Sequence, residues 1–150
     1  MPTPLVHDPL RLSHRPLYSL LVQFPAVCFA GALVTDIVYW QSAQFLWVTF
    51  SVWLLTAGCL MAALAGIVGL VLFFGDRRVR AGALAWPHAL ASLLVAVLSV
   101  VNAFVHSRDG YTAVVPTGLT LSVIVVLLML AATWMGWQSS RQQAVIGAST

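Results

Sequence analysis

The chain has 150 residues, of which 61% are hydrophobic and only 7% charged, and its formal net charge is +3. A water-soluble domain carries about 25% charged residues, so this composition excludes a soluble globule and indicates an integral membrane protein. The positive charge comes from arginine alone, and every arginine lies outside the long apolar runs; that placement reports membrane orientation and excludes a nucleic-acid-binding surface.

Residues 1–16 form a polar segment without the compact basic start of a cleaved signal peptide, so the first apolar run is expected to be retained. That run, Leu17 to Tyr39, is interrupted by Ser19, Gln23, Pro25, Thr35 and Asp36. At about 1.5 Å per residue it crosses about 30 Å of hydrocarbon. Pro25 removes a backbone hydrogen bond and is expected to kink the helix near Leu21.

The second span, Leu46 to Phe74, carries Gly58, Ala62 and Gly66 at four-residue intervals, with Ala65 and Gly69 beside them. Small residues in such a stripe allow close helix approach. An arginine-rich connection, Gly75 to Gly82, leads to a third span from about His88 to Val105, and a fourth runs from about Thr117 to Trp137. Pro87 and Pro116 stand where a helix starts and a missing N–H costs little. The spans make a four-helix membrane domain over 17–138, and 139–150 reads as a polar tail. The fold class is therefore an all-α four-transmembrane-helix bundle.

Arg11, Arg15, Arg77, Arg78, Arg80 and Arg141 fall on one side of the spans and Arg108 alone on the other. The positive-inside rule then places both termini in the cytoplasm. The aromatic belts agree: Tyr39, Trp40, Phe45 and Trp47 mark the outer boundary, and Tyr18, Trp86, Trp134 and Trp137 the inner one. Cys28 and Cys59 lie within apolar runs and read as buried thiols.

Within a bilayer, an ionisable or imidazole side chain is costly unless it pairs, ligates or relays protons. His7 reads as solvated. His14 and His88 stand at cytoplasmic helix entrances at similar depth, an arrangement that suits the two axial ligands of a haem b iron. The other readings of this pair are interfacial structural histidines, a different metal, or a quinone site. Asp36 is the one carboxylate inside a span, and His106 and Arg108 on the same side are its natural partners, as an outer polar pair or a proton-transfer site. Asn102, one turn before His106, and Gln23 read as interhelical polar contacts. No nucleophile with its base, phosphate-binding loop or clustered metal motif is present.

The run His14-Arg15-Pro16-Leu17-Tyr18, then Leu20-Leu21-Val22, Phe24-Pro25 and Asp36-Ile37-Val38-Tyr39, resembles the opening of a bacterial membrane family catalogued as domain of unknown function 2231. The resemblance extends through Ala65-Gly66 to His88, Asn102 and Arg108. It implies a four-helix protein of the bacterial cytoplasmic (inner) membrane associated with redox proteins, and it supports His14 and His88 as haem ligands. The chain departs from the family pattern at Tyr18, Gln23, Gly69 and Ser92.

The expected function is a small anchor or electron-transfer subunit of a larger membrane redox complex. It would bind haem b, communicate with the quinone pool and have no independent catalytic activity. The alternative is a cofactor-free structural or assembly subunit, surrounded by membrane lipids and docked through its small-residue stripes.

Overall fold

The computed structural model describes residues 9–75, 77–108 and 114–148. Within them it describes only the backbone of 9–17, 19, 78, 79, 140 and 142–148. The chain forms α1 (Pro9–Ser42), α2 (Phe45–Gly75), the single turn α3 (Arg77–Arg80), α4 (Ala85–His106) and α5 (Thr117–Ala148). Four of these helices are long and apolar enough to cross a membrane. Such segments become helices because lipid offers no partner for a backbone N–H or C=O, and the helix satisfies them internally.

Three boundaries differ from the sequence reading. The first helix begins at Pro9, inside the segment read as polar, and continues through Pro25; the third begins at Ala85; the fourth runs on to Ala148, into the stretch read as a tail. Ser139 to Ala148 has no apolar stripe to announce a helix, but Arg, Gln and Ala are good helix formers and extend one already nucleated.

Each long helix packs against two neighbours, in the cyclic order α1, α2, α4, α5 and back to α1, with α1–α2 and α4–α5 the most extensive pairs. Two antiparallel hairpins thus close a square. One end carries the α1–α2 turn and the α4–α5 connection and is called here the turn end; the other carries Arg77, Arg80 and Arg141 and is called the arginine end. The α1–α2 turn is tight. Ala43 adopts a left-handed φ of 53° and donates its N–H to the Tyr39 carbonyl at 2.8 Å, closing α1 in an αL cap.

The seam facing the axis follows a spacing of three and four residues. On α2 the buried residues are Val48, Ser51, Leu55, Gly58 and Ala65, and on α4 they are Val95, Ser99, Asn102 and His106. This is the period of side-by-side helices in a bundle. It also separates the glycines. Ala65, seven residues after Gly58, stays within about 20° of its face; Gly66 advances a further 100° and is exposed, with nothing within 4 Å of a Cβ built there. The expected stripe of Gly58, Ala62 and Gly66 therefore splits. Gly58 is buried and Ala62 packs against the core of Phe29, Ala32, Leu55, Val95 and Val125, whereas Gly66 faces outward.

A Cβ on Gly58 would lie 2.5 Å from Phe29 Cε1 and 3.1 Å from Cys28 Cβ. Gly58→Ala is thus expected to destabilise the bundle by about 1–3 kcal/mol, while Gly66→Leu changes stability by less than about 0.5 kcal/mol. Unfolding of the two variants in detergent, followed by circular dichroism, checks this contrast. Equal stabilities would contradict the seam assignment.

Candidate functional site

Asp36 lies on α1 about one and a half turns from the turn end, at a seam position, and is 0% exposed. A buried carboxyl group needs hydrogen-bond partners, and three of them converge on it. Ser51 of α2 donates to Oδ1 at 2.5 Å, Ser122 of α5 donates to Oδ2 at 2.5 Å, and His106 of α4 places Nε2 2.9 Å from Oδ1. All four spanning helices therefore meet at one carboxyl group. The contact from α1 to α4 runs diagonally across the square, so the cluster occupies the bundle axis.

The donors are themselves backed by further groups. Ser51 gives its one hydrogen to Asp36, and Thr35 Oγ1 lies 2.7 Å from Ser51 Oγ while donating back to the Ala32 carbonyl at 2.9 Å. Asn102 Nδ2 donates to Ser122 Oγ at 2.8 Å, and Ser122 passes its own hydrogen on to Asp36. One relay, Asn102 to Ser122, ends on Oδ2 of the carboxyl group, and Ser51 serves the opposite oxygen. Chains of this kind polarise one another and strengthen the terminal bond. His106 Nδ1 lies 2.9 Å from the carbonyl of Asn102, one turn earlier. One acceptor is left over: Asn102 Oδ1 is buried without a partner.

A glycine makes room for the imidazole. A Cβ on Gly118 of α5 would fall 2.7 Å from His106 Cε1 and 3.1 Å from Nδ1, and Val114, just before α5, is fully buried at the same end. Gly118 and Ser122 are one turn apart on α5, so a single helix face seats the ring and supplies a donor to its partner.

The sequence-predicted residues separate clearly. Asp36, His106 and Asn102 belong to one network. Arg108 does not: its side chain is exposed beyond the last turn of α4. The physical reason is that α4 ends at His106 and Ser107 caps it, so Arg108 already belongs to the connection outside the helix. Gln23 is exposed on α1 rather than placed between helices. Ser51, Ser122 and Thr35, which the sequence reading passed over, complete the site.

At the arginine end the picture is different. His88 is half-buried in the first turn of α4, and the side chain of His14 lies outside the described residues. The Nε2 and Cδ2 atoms of His88 lie 3.3 and 3.4 Å from where a Gly136 Cβ would stand, and no other ring atom comes within 4 Å. The imidazole therefore presents its ligating edge, not its face, to α5. Gly136 leaves the space beside that edge open, where any larger residue would press against the ring.

Tyr18 and Gly69, two of the departures from the family pattern, are in contact: the Tyr18 hydroxyl lies 3.1 Å from a Cβ built on Gly69. Aromatic and cationic groups surround this end. Phe73 meets Trp86 edge-on at 5.1 Å, and Arg141 lies 3.7 Å over the Trp137 ring. Cys28 and Cys59 are free thiols. Among the described residues no group of three or more His, Cys, Asp or Glu side chains could hold a metal ion.

Residues 14–148 match the sequence family described as a predicted membrane protein (DUF2231). No curated protein and no solved structure matches the chain.

Proposed function

Since the chain belongs to that family of predicted membrane proteins, we propose that it is a small multi-pass subunit of the bacterial cytoplasmic membrane. Both termini face the cytoplasm, and the subunit anchors a larger redox protein without itself holding a cofactor. The observation that carries this reading is the direction of its polar groups. Asp36, Ser51, Asn102, His106 and Ser122 spend their hydrogen bonds on one another at the axis. The outward faces, such as Trp53, Leu60, Ile67 and Val71 on α2, are large and apolar. Such a body is stable in lipid and offers apolar area to a membrane partner. That the partner is a redox protein rests on the family resemblance noted above.

The competing reading is a haem b held by His14 and His88 that exchanges electrons with quinone. A pyridine haemochrome spectrum of the protein purified from its own membranes separates the two. No haem absorbance is expected, and His88→Ala is expected to leave the protein folded. A stoichiometric b-type spectrum that disappears in His88→Ala would overturn the cofactor-free reading.

A further inference from the structure

The two nitrogens of His106 face acceptors of different kinds. The Asn102 carbonyl, 2.9 Å from Nδ1, has no hydrogen to give, so Nδ1 carries one. The contact between Nε2 and Asp36 Oδ1, also 2.9 Å, then needs one further hydrogen. It sits either on nitrogen, as imidazolium against carboxylate, or on oxygen, as carboxylic acid against neutral imidazole. The two forms interconvert by moving that one proton from Oδ1 to Nε2, and neither changes the net charge of the pair, which is zero.

Loss of the proton has a structural consequence. The pair would carry one negative charge at the axis of an apolar bundle, where an unbalanced charge is costly. The single remaining ring hydrogen could also serve only one of the two contacts. Kept on Nδ1, it leaves the Nε2 lone pair facing a carboxylate; moved to Nε2, it leaves the Nδ1 lone pair facing a carbonyl. One contact must open.

The surroundings allow a proton to arrive. His106 is buried, yet Ser107 and Arg108, which directly follow it, are exposed. Asn102, whose Nδ2 donates to Ser122 and through it to Asp36, keeps Oδ1 as a buried acceptor without a partner beside the pair. The groups facing the pair are Thr35 on α1, Ser51 on α2, Asn102 on α4, and Ser122 and Gly118 on α5, none of which titrates near neutral pH. Arg108 is exposed beyond α4, and Asp109 lies outside the described residues.

We propose that Asp36 and His106 form a proton-binding site at the axis of the bundle, whose one shared proton exchanges with the aqueous phase at the turn end. The site is independent of what the subunit anchors and of the state of His88. The test is nitrogen NMR of histidine-labelled full-length protein in lipid vesicles, with the His106 signals identified by their loss in His106→Gln.

At neutral pH we expect a hydrogen on Nδ1 and a hydrogen-bonded Nε2. A pH change applied only on the turn-end side should alter this pattern, and the same change on the arginine-end side should not. The chain should release one proton more than Asp36→Asn. A neutral ring with its hydrogen on Nε2 and none on Nδ1 would overturn the assignment. So would a correct pattern that no pH change on the turn-end side alters. The hydrogen pattern and its response to pH are both read on the unaltered protein, so the outcome stands even where Asp36→Asn fails to fold.

Discussion

Asp36→Ala is expected to destabilise the bundle by about 3–5 kcal/mol, the range for removing one member of a buried charged pair. Interhelical hydrogen bonds between neutral side chains in a membrane average only about 0.6 kcal/mol, so the size of the loss distinguishes a charged hub from a polar contact among many. The substitution strands the Ser51 and Ser122 hydroxyls and the His106 ring together, because all three hydrogen-bond to the one carboxyl group. Ser122→Ala removes one donor and leaves the other two; a loss of about 1 kcal/mol is expected.

Reversible unfolding in mixed detergent, followed by circular dichroism, gives both values. A double-mutant cycle with His106→Ala completes the experiment. Its two losses should be far from additive, since each single change leaves the same partner unpaired. Additive losses, or an Asp36→Ala variant within about 1 kcal/mol of the parent, would show that the hub does not hold the helices together.

Gly118→Ala is expected to cost about 1–3 kcal/mol, and to do so by unseating His106. The new methyl would stand 2.7 Å from Cε1, closer than carbon atoms pack, and the ring is fixed at both ends by Asp36 and the Asn102 carbonyl. It cannot turn aside without giving up one of these contacts. Combining Gly118→Ala with His106→Ala, which removes the ring, should make the glycine substitution nearly neutral. The measurement is the same unfolding assay in the two backgrounds. A Gly118→Ala penalty that persists without the imidazole would assign the effect to helix packing alone.

Much of this architecture was legible in the sequence, because runs of about twenty apolar residues have few other fates and arginine and tryptophan mark their ends. Asp36 and His106 stood out for the same reason, as ionisable groups where such groups are costly. The serines did not, since hydroxyls occur throughout membrane helices and usually bond back to their own turn. Thr56 and Thr133, for example, donate to Val52 and Met129.

What distinguishes Ser51 and Ser122 is register. Ser51 falls on the seam of Val48, Leu55 and Gly58, and Ser122 on that of Gly118 and Val125. A three- and four-residue spacing carried through each span would have found them. Register likewise separates Gly58 from Gly66, which hydropathy alone treats alike. The relation of His88 to Gly136 was beyond sequence reading, since it depends on how two helices distant in the chain come together.

The donors to Asp36 come from 15, 70 and 86 residues further along the chain, and this sets an order of events during synthesis. The hairpin of α1 and α2 enters the bilayer with its carboxyl group served by Ser51 alone. The imidazole and second hydroxyl arrive only with the other hairpin. A half-made protein therefore carries an unmet polar demand in lipid, and the later hairpin satisfies it only in the one register that brings His106 and Ser122 to the depth of Asp36. The same carboxyl group that burdens the nascent chain thus proofreads its completion, favouring the fully paired four-helix form over isolated hairpins and misregistered pairings.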